Sequence, residues 1–235
     1  MAIQAVGFDL DGTLVRLDGE FLFAYMELVN STVGMDFGHP RLSDALLAST
    51  AVMCASDGSN GRLADVFFGD FCQRAAVERS VAEQRFARFY ASEFPQLGRF
   101  AQPVPGIHGL LATVRGHGLK IALLTNPVFP AEAVRERLRW AGLEDVPFDW
   151  QASLETAACA KPQPGFYLDA ARALGIPPDQ WLMVGNDLND DIHPALRAGM
   201  HTYWVCESQA GYAQRPAGSG AGSLHRVLTY LRTLT

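Results

Sequence analysis

The sequence predicts an α/β protein in which a parallel sheet carries helices on both faces and an all-helical segment interrupts the alternation. Three observations support this prediction. Residues 5–8 form an apolar run that ends in the polar turn residues 9–13, which is typical of a buried strand. Residues 15–103 repeat apolar side chains at helical spacing. From residue 104 onward, strand and helix patterns alternate, which indicates parallel strands joined by helices.

The helical segment follows the first strand directly, so we expect an insertion and not a tandem domain. Its apolar residues form four stripes at three- and four-residue spacing, which are typical core faces of amphipathic helices. The stripes are Phe21, Tyr25, Leu28, Val29 and Thr32; Leu42, Ala45, Leu46 and Met53; Leu63, Val66, Phe67, Phe71 and Ala75; and Phe86, Phe89, Tyr90 and Phe94. We therefore predict a helical cap at residues 15–103 and an α/β core at residues 1–14 and 104–235.

The second half of the chain contains the remaining elements of the predicted sheet. Strands are expected at residues 119–125, 148–153, 181–185 and 201–206. Proline and glycine mark the expected helix ends. Helices are expected at residues 130–141, at residues 164–175, up to Gly199, and near the end of the chain. The Gly/Ser-rich stretch at residues 217–223 is predicted to be a loop.

Composition narrows the classes of function. The chain of 235 residues is 49% hydrophobic and carries a formal net charge of −6, which favours a globular protein and argues against non-specific nucleic-acid binding. No apolar stretch approaches the roughly 18 residues needed to cross a bilayer, and we expect no signal peptide before the first strand. The four cysteines form no metal-binding pattern. We expect a reduced, cytoplasmic protein, and the choice between monomer and homodimer stays open.

Asp9 and Asp11 stand at the end of the first predicted strand. Side chains alternate along a strand, so both carboxylates project to the same side. Carboxylates this close repel each other unless a cation lies between them or one of them binds a proton. Gly12 then allows a sharp turn, and Thr13 adds a hydroxyl. This arrangement suits a divalent metal and a nucleophile that face one substrate.

Polar residues also follow three later strands of the predicted sheet. Thr125 and Asn126 end the second strand, and Lys161 lies between the third strand and the next helix. A polar run at residues 185–191 ends the fourth strand. In open α/β sheets, ligands bind at the carboxyl ends of the strands. Because the four groups occur in order at successive strand ends, we expect them to form one site.

These segments carry a resemblance to a known family. Residues 8–14 (FDLDGTL), 124–126 (LTN), 161–162 (KP) and 184–187 (VGND), together with Asp191, resemble the four motifs of the haloacid-dehalogenase-like hydrolase superfamily. The resemblance covers essentially the whole chain, because a helical cap inserted after the first strand is typical of the phosphoglycolate phosphatase-like branch. It implies a Rossmann-like core whose sheet has the strand order 5-4-1-2-3.

The resemblance implies a role for each matching residue. Asp9 would attack phosphorus and form an aspartyl-phosphate. Asp11 would protonate the leaving oxygen and later deprotonate the attacking water. Thr125 and the backbone of Asn126 would hold the phosphoryl oxygens, and Lys161 would stabilise the anionic site. By the same resemblance, Asp11 argues for phosphate esters or for phosphate transfer between hydroxyls, because dehalogenases and phosphonate-cleaving relatives lack an acid at this position.

The resemblance further implies a Mg²⁺ cofactor, bound by the Asp9 carboxylate and the Asp11 backbone carbonyl. The family usually has an aspartate directly after the glycine of the fourth motif. This chain has Asn186 at that position and Asp187 after it. An amide oxygen binds Mg²⁺ without contributing charge, so we favour Asp187 as the third ligand and keep Asn186 as the alternative.

Four further residues are expected to support the site or its surroundings. Thr13 supplies a hydroxyl next to the first motif. Asp191 is expected to act on the site indirectly, for instance by contacting Lys161. Asn189 and Asp190 precede a predicted helix, and we expect them only to cap it.

We therefore predict a Mg²⁺-dependent phosphatase that hydrolyses a small phosphorylated metabolite and has no nucleic-acid or membrane partner. A sugar phosphomutase of the same fold is the enzyme alternative, and it would require the cap to shield the intermediate from water. A catalytically silent binding or regulatory protein is the third hypothesis, and only Asn186 favours it.

Overall fold

The computed structural model describes residues 2–208, 212 and 214–234. Its strands are β1 (Ala5–Phe8), β2 (Val15–Leu17), β3 (Ala101–Pro103), β4 (Lys120–Leu123), β5 (Trp150–Gln151), β6 (Trp181–Gly185), β7 (His201–Val205) and β8 (Gly220–Gly222). Six of them form one sheet in the order β5-β4-β1-β6-β7-β8, and every neighbouring pair in it is parallel. The predicted α/β fold class is confirmed.

Helices cover both the segment after β1 and the connections between the strands. The α-helices are α1 (Phe21–Val29), α2 (Leu42–Cys54), α3 (Leu63–Ala75), α4 (Arg79–Ser92), α5 (Ile107–Gly116), α6 (Ala131–Trp140), α7 (Pro164–Leu174), α8 (His193–Arg197) and α9 (Val227–Leu231). π-Helical turns lie at Asn30–Gly34 and Leu188–Ile192, and 3₁₀ turns at Phe94–Phe100, Pro178–Gln180 and Leu224–Arg226. Within the described part of the chain, no helix combines the length and the hydropathy that crossing a membrane requires.

The strand order agrees with the expected order, with one strand added. Counted along the chain, β1, β4, β5, β6 and β7 are the first to fifth strands of the sheet, and they lie in the order 5-4-1-2-3. The added edge strand, β8, lies where we predicted a loop. The loop prediction was wrong at residues 220–222, because glycine and alanine give no side-chain periodicity. The rings of Tyr203 and Tyr230 fill the space instead, so that a Cβ on Gly220 would lie 2.6 Å and 2.8 Å from them.

A short antiparallel pair of strands, which the sequence pattern did not predict, joins the two ends of the helical segment. Val15 of β2 pairs with Pro103 of β3, and Leu17 pairs with Ala101. Three-residue strands are too short for a recognisable alternation, which explains why the pattern does not reveal them. This strand pair lies at the borders of the proposed cap, and the division into core and cap stays a prediction.

Two apolar clusters cover the two faces of the sheet. Along β1 the side chains alternate, so that Val6 and Phe8 belong to one cluster and Ala5 to the other. The cluster that contains Ala5 continues into the helical segment. There Phe94 stacks on Trp140 of α6 with 5.1 Å between the ring centroids. The helical segment therefore shares a hydrophobic core with one face of the sheet.

Hydrogen bonds also join the α2–α3 loop to the connection between β5 and α7. The backbone N–H of Leu63 donates to the carbonyl of Ala157 at 3.0 Å. The side-chain amide of Gln163 donates to the carbonyls of Cys54 and Ser56 at 3.0 Å and 2.6 Å. These contacts place the helical segment beside the carboxyl ends of the strands, where the predicted site residues lie.

Candidate active site

Asp9 and Asp11 follow β1 at the point where the chain leaves the sheet. The backbone N–H of Asp9 donates to the carbonyl of Val184 in β6 at 2.9 Å. Gly12 turns the chain with a φ of +85°, and a Cβ at this position would lie 2.6 Å from the Asn186 side chain. Glycine is required here both for the left-handed backbone and for the close approach. The turn therefore brings the ends of β1 and β6 together.

One cavity of about 210 Å³ lies at the carboxyl ends of the strands. It is lined by Asp9, Asp11, Thr125, Asn126, Lys161, Asn186, Asp187, Asp190 and Asp191. Thr13 contacts the lining of this cavity, because its hydroxyl donates to Oδ1 of Asn186 at 3.0 Å. The structure thus brings all the residues that we predicted for the site into one place, and their individual roles stay predictions.

Lys161 forms the buried centre of the site. Its Nζ donates to Oδ1 of Asp9 at 2.8 Å and to Oδ1 of Asp191 at 2.6 Å, and its side chain is 1% exposed. Burial acts to lower the pKa of Lys161, but the carboxylates of Asp191 and Asp9 outweigh it and raise the pKa above its ordinary value. Lys161 is therefore charged, and the contact that we expected between it and Asp191 is present.

Asp9 lies in surroundings with an excess of negative charge. Burial and the neighbouring Asp191 carboxylate raise the pKa of Asp9 to about 7, with a smaller contribution from Asp11, although Lys161 acts to lower it. One ammonium group thus compensates the crowded carboxylates only in part. A further cation at this place would favour the ionised form of Asp9.

The charge and the ligand atoms of the cavity fit a divalent cation. Five aspartates and one lysine line it. Oδ1 of Asp11 is buried and has no hydrogen-bond partner among the described residues. Over the same residues, no group of three or more His, Cys, Asp or Glu side chains is arranged to hold a metal ion by itself. A metal would therefore also need backbone, amide or water ligands, which is the usual way in which Mg²⁺ binds.

Asn186 and Asp187 both line the cavity but have different partners. Oδ1 of Asp187 accepts hydrogen bonds from the backbone N–H groups of Asn189 and Asp190 at 2.7 Å and 2.9 Å. Asp187 thus caps the helical turn that follows, a role that we had expected for Asn189 and Asp190. The carbonyl of Asn186 is held by the Trp204 indole at 2.9 Å. Helix capping occupies one oxygen of our favoured ligand, Asp187, and the choice between the two ligands stays open.

Arg137 of α6 also belongs to the site, and sequence reasoning missed it. Its guanidinium is buried and donates through Nη1 to Oδ2 of Asp11. Arg135 and Arg139 on the same helix are exposed, so the sequence shows only a helix rich in arginine. The single signal is position: Arg137 lies next to the inward Leu138 on the predicted apolar face.

A second cavity, of about 220 Å³, lies between the helical segment and the loops after β4 and β5. Most of its lining is apolar, and its charged lining residues are all acidic: Glu83, Glu132 and Glu155. The hydroxyls of Tyr25 and Tyr90 are hydrogen-bonded at 2.9 Å in its wall. Burial raises the pKa of Tyr25 to about 12, although the Tyr90 hydroxyl and the Arg137 charge act to lower it. Burial also raises the pKa of Tyr90, so both hydroxyls are neutral, and one of them donates to the other.

Sequence comparison identifies the family. The model of the haloacid dehalogenase-like hydrolase family matches residues 3–199. The chain is 33% identical to the phosphoglycolate phosphatase of Rhodospirillum rubrum over 218 residues, which cover 92% of this chain and 83% of the relative. It is 30% identical to the N-acetylmuramic acid 6-phosphate phosphatase of Pseudomonas aeruginosa over 223 residues, which cover 94% of this chain and 89% of the relative.

Solved structures share the fold along their whole length. A HAD phosphatase from Thermococcus onnurineus superposes with a TM-score of 0.61 at 21% identity, covering 97% of this chain and 98% of that chain. A 2-haloacid dehalogenase from Pseudomonas syringae pv. Tomato reaches 0.64 at 21% identity, covering 99% and 100%. The family match includes every residue that lines the cavity at the strand ends, and the chain belongs to the haloacid dehalogenase-like hydrolase family.

Proposed function

We propose that this protein is a Mg²⁺-dependent phosphomonoester hydrolase that acts on a small phosphorylated metabolite through an aspartyl-phosphate. One observation carries the proposal: the Asp9 carboxylate is bound to Lys161 at 2.8 Å and lines the same cavity as Asp11, Thr125 and Asn126. The names of the two relatives described above support it, because each denotes the hydrolysis of a phosphate monoester.

Asp9 is the nucleophile of the proposed reaction. Lys161 binds Oδ1, and Oδ2 forms no hydrogen bond within the described residues. In the first half-reaction, Oδ2 bonds to phosphorus while the bond from phosphorus to the ester oxygen breaks. In the second half-reaction, the oxygen of a water molecule bonds to phosphorus, and the bond from phosphorus to Asp9 breaks. The Asp9 carboxylate is then free again, and inorganic phosphate leaves.

Asp11 is the proton donor and acceptor of the same reaction. In the first half-reaction it gives a proton to the departing ester oxygen, and in the second it accepts a proton from the attacking water. Asp11 lines the cavity, and its Oδ1 is buried and has no hydrogen-bond partner among the described residues. An atom in that position is suited to exchange a proton with a bound substrate.

Thr125 and Asn126 hold the phosphoryl group in the proposed complex. Both follow β4, the neighbour of β1 in the sheet, so they face the cavity beside Asp9. Lys161 supplies a positive charge to the phosphoryl oxygens as well as to Asp9, and it is fixed in place by Asp191. Positioning and charge neutralisation are the main demands of phosphoryl transfer, and these residues provide both.

Mg²⁺ would be held by the Asp9 carboxylate, the backbone carbonyl of Asp11 and the side chain of either Asn186 or Asp187. A divalent cation supplies positive charge for the phosphoryl oxygens and for the crowded carboxylates. The surroundings of Asp9 support this assignment, because burial and the Asp191 carboxylate raise its pKa although Lys161 acts to lower it.

We assign the role of a cap to the helical segment, with the organic part of the substrate held in the second cavity. Val128 and Pro130 line that cavity, and Asn126, on the same loop, lines the first one. A substrate that reaches both cavities would follow this loop. Since the second cavity is apolar and its charged lining is acidic, we expect an uncharged or cationic group to be preferred over a carboxylate.

The test is phosphate release from a panel of phosphate monoesters, with Mg²⁺ and with EDTA. The panel pairs uncharged sugar and alkyl phosphates with carboxylate-bearing phosphates such as phosphoglycolate. We expect release that needs Mg²⁺, is lost in Asp9→Asn and is faster for the uncharged esters. Asp44→Asn, an exposed carboxylate on α2, is the matched control and should keep full activity.

Four outcomes would contradict parts of this proposal. Release that persists in Asp9→Asn would remove Asp9 as the nucleophile. Isomerisation of a sugar phosphate with little free phosphate would identify a mutase. No turnover of any ester by folded wild-type protein would identify a silent protein. Faster hydrolysis of phosphoglycolate than of uncharged esters would remove the assignment of the second cavity.

A further inference from the structure

Arg137 differs from the other arginines of α6 in where its charge lies. Arg135 and Arg139 are 69% and 59% exposed, and each pairs with a glutamate of its own helix. The Arg137 side chain is 1% exposed. Burying a guanidinium is costly unless a carboxylate compensates its charge. The burial of Arg137 therefore depends on the groups that contact its guanidinium.

Two groups hold the guanidinium of Arg137. Nη1 donates to Oδ2 of Asp11, and the guanidinium carbon lies 4.6 Å from the centroid of the Phe129 ring. Asp11 is its one ion-pair partner within the described residues, and Nε and Nη2 have no hydrogen-bond partner there. The ring lies against the guanidinium, and the ion pair directs it at Asp11.

The ion pair makes the two oxygens of Asp11 different. Oδ2 is bound to Arg137, whereas Oδ1 is buried and has no partner among the described residues. The cavity also contains the carboxylates of Asp9, Asp187 and Asp190. The Arg137 guanidinium thus places a positive charge directly against Asp11 in a cavity lined by five aspartates.

We infer that Arg137 is the positioning residue of Asp11. Arg137 holds Oδ2, so Oδ1 is the oxygen that exchanges the proton. During phosphoryl transfer to Asp9, the proton of Oδ1 moves to the ester oxygen as its bond to phosphorus breaks, which leaves a neutral alcohol and an Asp11 carboxylate paired with Arg137. In hydrolysis, water gives a proton to Oδ1 as its oxygen bonds to phosphorus and the bond from phosphorus to Asp9 breaks. This inference rests on the proposed function.

Esters whose leaving groups differ in acidity can show whether Arg137 positions the acid Asp11 or only supports the fold. An alkyl alcohol needs a proton to depart, whereas 4-nitrophenolate is a stable anion that departs without one. The experiment therefore measures single-turnover release of both leaving groups, with enzyme in excess and Mg²⁺ present. The variants are Arg137→Met, Arg137→Lys, Asp11→Asn and the Asp11→Asn/Arg137→Met double variant. Arg85→Met is the matched control, because Arg85 is buried and ion-paired within the helical segment.

We expect Arg137→Met to slow alkyl release at least about tenfold and to leave nitrophenolate release within roughly threefold of wild type. Arg137→Lys keeps the charge and should recover part of the alkyl rate. In the Asp11→Asn background, Arg137→Met should cause no further loss, because the two residues act as a unit. Arg85→Met should change both rates by the same factor.

Equal losses on both esters, or a further loss in the double variant, would show that Arg137 supports the fold alone and would overturn the inference. Faster alkyl release by Arg137→Met would overturn it too, since the ion pair would then restrain Asp11. Should Arg137→Met fail to fold, Arg137→Lys and the double variant provide the same comparison. Wild type that releases neither leaving group would instead refute the proposed function, and the inference with it.

Discussion

The two carboxylates of the first motif lie in different surroundings. Asp9 is buried with Lys161 and Asp191. Asp9 and Asp191 follow the strands β1 and β6, and Lys161 lies in the connection between β5 and α7. The Asp11 side chain is 36% exposed, and its cation, Arg137, comes from a helix face. Strand topology thus assembles the charge around the proposed nucleophile, whereas the rotation of one helix assembles it around the proposed acid.

We expect the largest effect on activity and stability when Asp9 loses its cation, Lys161. Lys161→Met leaves the Asp9 and Asp191 carboxylates buried without a cation, and breaking a buried ion pair typically costs about 3–5 kcal/mol. We expect activity to fall to background and the free energy of unfolding in urea to drop by about 3 kcal/mol or more. The control is Lys120→Met, whose exposed ion pair should contribute no more than about 1 kcal/mol. Similar losses in the two variants would contradict the buried-triad description.

We expect a smaller loss of stability when Asp11 loses its cation, Arg137. Arg137→Met leaves Asp11 without its cation, but water reaches that carboxylate because it is partly exposed. We expect a decrease of about 1–3 kcal/mol in the free energy of unfolding, below that of Lys161→Met, and partial recovery in Asp11→Asn/Arg137→Met. Urea unfolding of the three proteins measures this. A loss equal to that of Lys161→Met would mean that the ion pairs of Asp9 and Asp11 contribute equally to stability.

Metal affinity should respond to the charge after Gly185. Asn186→Asp adds a carboxylate to the cavity, and we expect Mg²⁺ to bind roughly tenfold more tightly, which corresponds to about 1.4 kcal/mol. Calorimetric titration with Mg²⁺ measures the change. Asp187→Asn is the paired variant: a larger effect there than in Asn186→Asp would identify Asp187 as the ligand. If neither variant alters Mg²⁺ affinity, both ligand assignments are wrong.

The smallest effect concerns a carboxylate outside the site. Burial acts to raise the pKa of Asp149, but hydrogen bonds from Lys120 and the Ile121 N–H, with the Arg115 charge, lower it overall. A pKa lowered by folding stabilises the protein above the unfolded value of about 3.9, and this contribution is lost as the pH falls through the folded value.

Asp149→Asn should therefore lower the free energy of unfolding by about 1 kcal/mol at neutral pH, and the difference from wild type should shrink as the pH falls below about 3.9. Urea unfolding at several pH values measures both. A difference that stays constant with pH would show that the charge of Asp149 contributes nothing.

The sequence predicts the surroundings of Asp9 well, because the residues there follow the ends of strands. Parallel strands place their carboxyl ends at one edge, so the order of Asp9, Thr125, Lys161 and Asp191 along the chain is enough to bring them together. Amphipathic periodicity likewise predicts the helices of the inserted segment.

Arg137 could not be predicted in this way. Apolar periodicity describes the average face of a helix and does not reveal one charged residue on the buried side. Strand β8 and the β2–β3 pair could not be predicted for a related reason, since three residues give no measurable alternation. The capping role of Asp187 depends on the conformation of one turn, which neighbouring Asn189 and Asp190 could adopt equally well by composition.

A phosphoryl group on Asp9 is the most direct consequence of the proposed mechanism. Asp11→Asn should accumulate it during turnover of 4-nitrophenyl phosphate, because the leaving group needs no proton and the attacking water loses its base. The measurement is acid quenching, digestion and mass spectrometry of the peptide that contains residue 9. We predict one phosphoryl group on Asp9, absent from Asp9→Asn/Asp11→Asn. Nitrophenolate release by Asp11→Asn with Asp9 unmodified, or with the phosphoryl group on another residue, would contradict the mechanism.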